Sequence, residues 1–297
     1  MLEVEMTVDD TQDLNKKKDS SFRKIFRSFK KNKLALYSFV FLCFLLLVVI
    51  FSPWIAPYNP QTVNYNHILE GPSWSHLAGT DQFGKDVLSR LIYGARISLG
   101  VAVASVLLGA FAGTILGLLS GFMGKWIDRI IMRACDILFA FPDLVLAIGM
   151  VAILGSGLKN VIIAIAFFST PSFARIVRGE TLEIKERLFV EAERSIGVKK
   201  GRILFKHVFP HTISTIIVYI TMSVGGAIIS TASLSFLGLG APASSPEWGA
   251  MISASRDYIG DAFHLIFFPG FAVFITVLAL NLFGDGLRDA LDPKTRD

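Results

Sequence analysis

The segment GETLEIKERLFVEAERSIGVKKGRILFKHVFP occupies residues 179–210 and separates two apolar runs in the C-terminal two thirds of the chain. Nine Lys or Arg residues lie between Arg175 and Lys206. Such an excess of positive charge beside apolar spans is typical of a loop on the cytoplasmic side of a membrane. Apolar residues recur at helical spacing on both sides of Gly197, and this pattern predicts a helix, a turn and a second helix before Pro210.

This loop carries a motif with defined spacing. The motif consists of Glu191, Ala192, Glu193, Gly197, His207 and Pro210. It resembles the EAA loop of binding-protein-dependent ABC importer permeases. Glu193 stands where the general family has Ala, and His207 and Phe209 replace Ile and Leu, although a His at the first of these positions is similar to the peptide and nickel importer branch. The alternative interpretation is an ordinary polar hairpin between two spans.

Three further phrases resemble the peptide and nickel branch, the dipeptide/oligopeptide permease C-type proteins. They are GTDQFGKDVLSRLIYGARISL at 79–99, SLSFLGLGAPASSPEWGAMI at 233–252 and GDGLRDALDPK at 284–294. The resemblance covers roughly residues 22–294 and implies the type I ABC importer permease fold, with six transmembrane helices and a coupling helix docked on an ATPase. It implies a second homologous permease subunit, two cytoplasmic ATP-binding subunits and an external solute-binding protein as partners, and no cofactor.

The composition indicates an integral membrane protein. Apolar residues make up 53% of the 297-residue chain, and the mean hydropathy is +0.56. Several spans use nearly the whole length, which leaves no room for an ATPase or another catalytic domain. The net charge of +5 comes from basic residues beside apolar runs, so it favours orientation in the bilayer over nucleic-acid binding. Cys43 and Cys135 have no metal-site or disulfide spacing and are expected to be packing residues.

Apolar runs predict an all-α protein with six spans. We expect a cytoplasmic tail with an amphipathic interfacial helix at 1–33, a first transmembrane helix and a long external loop at 34–96, and a five-helix permease core at 97–297 that contains the EAA-type coupling loop. The spans are expected at 34–50, 97–119, 137–154, 161–175, 211–239 and 265–283. Only five Lys or Arg residues fall in the predicted outer segments, which predicts a multi-pass cell-membrane protein with both termini in the cytoplasm.

Two sets of residues within the spans are candidates for specific roles. Gly109, Gly113, Gly117 and Gly121 recur every four residues and predict close packing of the second span against another helix. Asp143 follows Pro142 inside the predicted third span, where an ionisable residue is a hypothesis of function. We expect Asp143 either to line the translocation path or to form a structural hydrogen bond across a kink at Pro142.

Several other functions are disfavoured by the sequence. The segment from Gly79 to Lys85 has the spacing of a phosphate-binding loop, but Asp86 stands where Ser or Thr is needed and no buried strand precedes it. Gly238-x-Gly240 lacks the strand of a dinucleotide-binding loop. An intramembrane enzyme would need paired catalytic groups, and neither H-E-x-x-H nor G-x-S-x-G occurs. A passive channel is the remaining alternative to an ABC importer. A requirement of transport for ATP would distinguish the importer from the channel.

The sequence therefore predicts a transport subunit, with no catalytic or metal site, of an ABC importer that carries peptides into the cytoplasm. The expected mechanism is alternating access, in which closure of the ATPases pushes the coupling loop. Peptides are favoured over nickel or metal chelates because no group of His, Cys or carboxylate residues has metal-ligand spacing.

Overall fold

A computed structural model describes residues 29–30 and 32–291 of the chain. In these residues regular structure is helical, apart from an isolated bridge between Thr80 and Asp86. The amphipathic helix expected within residues 1–33 lies almost wholly outside the described residues. The helices are α1 (Lys33–Ile55), α2 (Val87–Met123), α3 (Lys125–Phe139), α4 (Asp143–Leu154), α5 (Leu158–Lys185), α6 (Leu188–Ser195), α7 (Lys200–Phe236), α8 (Trp248–Ala254) and α9 (His264–Leu291).

Five of these helices are long and apolar enough to cross a membrane, namely α1, α2, α5, α7 and α9. They contain 23 to 37 residues, whereas a bilayer core requires about 20 residues of helix. The pair α3 and α4 passes the same test only as one bent unit. The described residues therefore contain five spans, or six if the bent pair counts as one, and the all-α membrane fold predicted from the sequence is confirmed.

The third span differs from its prediction. The sequence predicted one helix over 137–154, but α3 ends at Phe139 and α4 begins at Asp143, with an angle of 92° between them. Pro142 explains the break, because proline disfavours helical geometry at the residue before it and cannot donate a backbone hydrogen bond. Pro142 has ψ 134° and caps the start of α4. A helix of 12 residues is about 18 Å long, so α4 does not cross a bilayer alone.

Helices α2 and α5 extend beyond the predicted spans into the segments that connect them. The α2 helix begins at Val87, well before the span predicted at 97–119. The α5 helix continues to Lys185, so the first residues of the basic loop are helical. Hydropathy marks only the apolar part of a helix, whereas backbone hydrogen bonding continues until a cap or a breaker intervenes.

The α2 and α5 helices pack with their backbones close together. A Cβ atom added to Gly113 would lie 2.6 Å from the carbonyl oxygen of Thr170, and one added to Gly121 would lie 2.7 Å from Cβ of Thr181. Gly109 and Gly117 also face α5, near the carbonyl oxygens of Ala166 and Ala174. Each position is too tight for a side chain, so the glycine spacing allows the two helices to approach closely.

Buried apolar residues form separate clusters along the helices. The largest joins α2, α4, α5, α7 and α9 and includes Ala102, Phe173 and Ile228. A second joins α2 and α5 to the polar loop and to the start of α7. A third packs the loop before α2 and the short α8 against α9. The second cluster therefore holds the basic loop against the membrane helices.

Candidate functional site

The loop at 179–210 places a short amphipathic helix, α6, beside the first turns of α7. Val190 of α6 is buried in the same apolar cluster as Ile203 of α7. On the other side, Leu188, Ile196 and Phe205 are 82%, 79% and 65% exposed. An amphipathic helix normally buries its apolar residues. One face of the loop therefore packs against the core, and large apolar side chains on its other face are exposed.

Gly197 forms the turn that ends α6. Its φ angle is +79°, a left-handed conformation that favours glycine. The backbone N–H of Val198 donates to the carbonyl oxygen of Glu193 at 3.0 Å, and the N–H of Gly197 donates to that of Arg194 at 3.1 Å. These two bonds make a Schellman motif, which satisfies the carbonyl groups at the helix end. The turn predicted at Gly197 is confirmed.

Pro210 does not end a helix, contrary to the prediction. The chain is helical from Lys200 to Phe236, and residues Ile203–Val208 adopt π-helical geometry. A proline inside an α-helix removes one hydrogen bond and collides with the carbonyl group four residues earlier. The wider π turn, which immediately precedes Phe209 and Pro210, accommodates this defect without stopping the helix. The last part of the loop, from Lys200, and the next membrane span are consequently one continuous helix.

The side chains of Glu193 and His207 are paired across the loop. Oε1 of Glu193 lies 2.9 Å from Nδ1 of His207, and the two side chains are 19% and 30% exposed. The other carboxylate oxygen, Oε2, is buried and has no partner among the described residues. Both residues stand out in the sequence as departures from the family pattern, but the sequence does not show that they meet. A pair separated by a turn leaves no periodic signal in the sequence.

The other two residues of the motif are exposed to solvent. Glu191 and Ala192 lie on the outer side of α6. Glu191 is in the first turn of this helix, where a negative charge interacts favourably with the helix dipole, and it forms no ion pair with another described residue. Its side chain is therefore available to a partner.

Asp143 lies at the first position of α4 and is exposed. The prediction placed it inside a span, and the break at Pro142 places it at a helix end instead. Its carboxylate forms no hydrogen bond or ion pair with the described residues, so the alternative of a hydrogen bond across the bend is not observed. A carboxylate at a helix N-terminus is favourably placed in the field of the helix dipole.

A polar cavity of about 670 Å³ lies between the C-terminal ends of α5 and α9 and the N-terminal part of α7. Its lining includes Glu180, His211, Thr215 and Arg288. Thr215 donates from Oγ1 to Oε1 of Glu180 at 3.1 Å. Acidic and basic side chains therefore line the same cavity. The sequence does not indicate this cavity, because its residues come from three separate helices.

The N-terminal end of α2 is held by buried charged groups. Asp86 caps α2 by accepting from the backbone N–H of Ser89 at 2.7 Å, and its other oxygen lies 2.9 Å from Nδ1 of His76. Arg90 lies 3.6 Å from Asp81 and donates to the carbonyl oxygen of Ser245. The residue that departs from the phosphate-binding pattern, Asp86, is therefore a helix cap.

Two further residues of this region are buried and charged. Burial lowers the pKa of the Lys85 ammonium, the nearby charge of Arg90 lowers it further, and Asp81 opposes the effect. Glu247 caps α8 by accepting from the backbone N–H groups of Gly249 and Ala250, and it also accepts from Oγ of Ser98 in α2. These contacts fasten α8 to α2. Residues 29–30 and 32–291 contain no group of three His, Cys, Asp or Glu side chains arranged to hold a metal ion.

Comparison with known families identifies most of the chain. A family described as "Binding-protein-dependent transport system inner membrane component" matches residues 113–297. A second, described as "N-terminal TM domain of oligopeptide transport permease C", matches residues 20–72.

Individual relatives and solved structures agree with these matches. The glutathione transport system permease protein GsiD of Shigella sonnei is 51% identical over 276 residues, which are 93% of this chain and 91% of that protein. The protein of the same name from Pectobacterium atrosepticum is 48% identical over 93% of this chain and 92% of its own. A chain of the inward-facing MetNI methionine ABC transporter superposes with a TM-score of 0.57 over 68% of this chain and 97% of its own, at 20% identity, and is similar in fold.

Proposed function

The chain belongs to the inner-membrane components of binding-protein-dependent transport systems, as a permease subunit of an ABC importer, and we propose that its solutes are peptides. ATP-hydrolysing subunits are the partners that this family implies, and a multi-pass position in the inner membrane follows from the family and from the apolar helices. The observation that carries the peptide assignment is the extensive identity with glutathione permeases. Glutathione is a small γ-linked peptide, so a related pathway suits short peptides.

The mixed charge of the polar cavity supports the same class of solute. A peptide carries an ammonium group at one end and a carboxylate at the other. The cavity offers the carboxylate of Glu180 and the guanidinium of Arg288 at the ends of neighbouring helices. A nickel ion or a metal chelate is the alternative cargo, and it would be expected to use His, Cys or carboxylate groups in combination. The described residues show no such grouping.

We propose that both termini lie in the cytoplasm and that the external loop meets a solute-binding protein. Basic residues concentrate in the tail before Leu34 and in the loop at 179–210, in accordance with the positive-inside rule. A second, homologous permease subunit would complete the pathway. We infer that the chain has no ATPase or catalytic site of its own and that alternating access is driven by its partners.

The loop at 179–210 is proposed to be the coupling element, with 1–33 as a cytoplasmic tail and 34–96 as the first span with its external loop. The exposed apolar residues Leu188, Ile196 and Phe205 would contact an ATPase groove, because uncovered apolar surface of this kind marks an interaction site. The residues of the motif in this proposed coupling loop are Glu191, Ala192, Glu193, Gly197, His207 and Pro210. Asp143 is proposed to line the translocation path, and the glycines of α2 are proposed to serve helix packing.

The solute is best identified through the binding protein. We would express the permease complex with its binding protein, purify the binding protein without denaturation, and identify retained solutes by mass spectrometry. Short peptides, or glutathione itself, are the expected result. Retention of a nickel chelate, combined with ATP-dependent nickel uptake by the complex in vesicles, would replace the peptide assignment.

A further inference from the structure

The contact between α6 and α7 has two attachment points. On α6, Phe189 and Glu193 are four residues apart and so lie on one face of the helix. On α7, His207 and His211 are also four residues apart. Glu193 pairs with His207, and the ring of Phe189 stacks on that of His211 with centroids 5.4 Å apart and an interplanar angle of 24°. We call these four residues the α6–α7 joint.

The two points of the joint are linked to each other along α7. Nδ1 of His211 donates to the backbone carbonyl oxygen of His207 over 2.6 Å. This bond fixes the ring of His211 in the orientation that stacks on Phe189. The carbonyl group of His207 lies within the π-helical segment Ile203–Val208, where the regular backbone pattern is altered. The joint therefore connects α6 to the irregular part of the helix that continues into the membrane.

We propose that the α6–α7 joint transmits movement of α6 to α7, so that Glu193, His207, Phe189 and His211 are positioning residues for coupling. This inference rests on the proposed role of the loop as the coupling element. One attachment point would allow α6 to rotate about it, whereas two points on one face hold the orientation of the helix. An ATPase that displaces α6 would then also displace α7.

The surroundings of Glu193 predict that substitutions of Glu193 and of His207 impair coupling to different extents. Removal of one partner from a partly buried polar pair leaves the other without its hydrogen-bond partner, whereas replacement of both by apolar residues is often neutral. Loss of the imidazole in His207→Leu would leave both oxygens of Glu193 without a partner, because Oε2 already has none. Glu193→Leu removes the carboxylate together with its unpaired oxygen and leaves an imidazole that is 30% exposed and can hydrogen-bond to water. His207→Leu is therefore expected to be the more harmful single change.

The experiment reconstitutes the complete complex, with both permeases, the ATPases and the binding protein, in proteoliposomes. It measures ATP hydrolysed per solute imported for Glu193→Leu, His207→Leu, the double variant, Phe189→Ala and His207→Gln. Glu186→Leu is the matched control, since Glu186 is exposed in the same loop and forms no ion pair with a described residue. ATPase recovery on purification reports whether the loop still docks.

We expect His207→Leu to raise the ATP cost per solute by about threefold or more, within the range of coupling energies between residues in contact. Glu193→Leu and Phe189→Ala should raise the ATP cost per solute less than His207→Leu does. The double variant should have a cost closer to that of wild type than His207→Leu. His207→Gln keeps a donor for Glu193 and should restore most of the coupling. The ATPases should remain bound throughout. Wild-type cost in both His207→Leu and Phe189→Ala would overturn the proposal.

The same data separate this proposal from the assignment of the loop. If the wild-type complex binds its ATPases and imports solute, the proposed function holds whatever the joint variants do. If the variants lose the ATPases together with import, the residues serve docking or folding, and transmission by the joint is refuted. If His207→Leu is not recovered from membranes, the double variant and Phe189→Ala decide the matter, because neither leaves the Glu193 carboxylate without its His207 partner.

Discussion

Arg178 in α5 donates from Nε and Nη2 to the two carboxylate oxygens of Asp128 in α3, over 2.5 and 2.7 Å. Ser120 of α2 donates to the same carboxylate, so the pair joins three helices near the C-terminal ends of α2 and α5. Two parallel charge-assisted bonds of this kind are among the stronger polar contacts in proteins. The pair therefore holds the bent α3 against the helices that carry the glycine contact.

Removal of this charge should loosen this end of the bundle. We expect Asp128→Asn to lower the free energy of unfolding by about 1–3 kcal/mol, because Arg178 would lose its charged acceptor. Asp136→Asn is a matched control, since Asp136 lies on the same helix and pairs with Arg175 through one exposed contact of 2.8 Å. Thermal unfolding in detergent compares the two variants. Equal losses would show that the bidentate geometry adds nothing.

The close packing of the glycine face of α2 against α5 predicts that only a small residue fits at position 113. Gly113→Leu should reduce the amount of assembled complex recovered from membranes, because the new side chain would collide with Phe173 and Thr170 of α5. Gly100→Leu on the same helix is the control, since a Cβ atom at Gly100 meets nothing within 4 Å. Quantitative immunoblotting of purified membranes measures recovery. Normal assembly and transport in Gly113→Leu would refute the requirement for close packing.

Substitution of Asp143 tests whether its carboxylate lines the translocation path. We expect Asp143→Asn to lower the rate of solute uptake while assembly and basal ATP hydrolysis stay near wild type, because the exposed carboxylate contributes only about 0.3–1 kcal/mol to its helix end. Uptake kinetics and ATP hydrolysis are measured on the same reconstituted complex. Unchanged uptake would remove Asp143 from the path and leave its charge with a local role in α4.

Local chemistry explains which features could be predicted from the sequence. Apolar blocks locate the spans because the bilayer demands them, and Gly197 marks its turn because glycine readily adopts a positive φ. Pro142 and Pro210 show the limit of this reasoning, since the sequence indicated an irregularity at both prolines but only Pro142 interrupts a helix. The π-helical segment before Pro210 absorbs its defect, and nothing in the local pattern distinguishes that outcome from a helix end.

Contacts between separate elements were harder to anticipate. Glu193 and His207 were each identified as unusual, yet their pairing depends on how the turn at Gly197 folds α6 onto α7. The Asp128–Arg178 pair depends on the angle between α3 and α5 in the same way. With one sequence, periodicity reports which face of a helix is apolar, but it does not report which residues of two helices meet.

The central claim is that the loop at 179–210 docks the ATPases and couples them to import, and Gly197 is the position that tests it. A leucine at φ +79° costs about 1–2 kcal/mol and distorts the turn. A Cβ atom at this position meets nothing within 4 Å among the described residues, so the leucine side chain would project toward a partner. Glu191→Ala should have a milder effect in the same direction. Gly201→Leu is the control for strain, since Gly201 also has open space but no positive φ.

The decisive measurement is ATPase co-purification together with ATP-dependent uptake for Gly197→Leu, at membrane levels matched to wild type. We predict a membrane-inserted protein that has lost ATPase docking, or that retains docking and no longer links hydrolysis to import, while Gly201→Leu keeps more of both. Wild-type values of both quantities for Gly197→Leu would contradict the assignment of this loop as the coupling element.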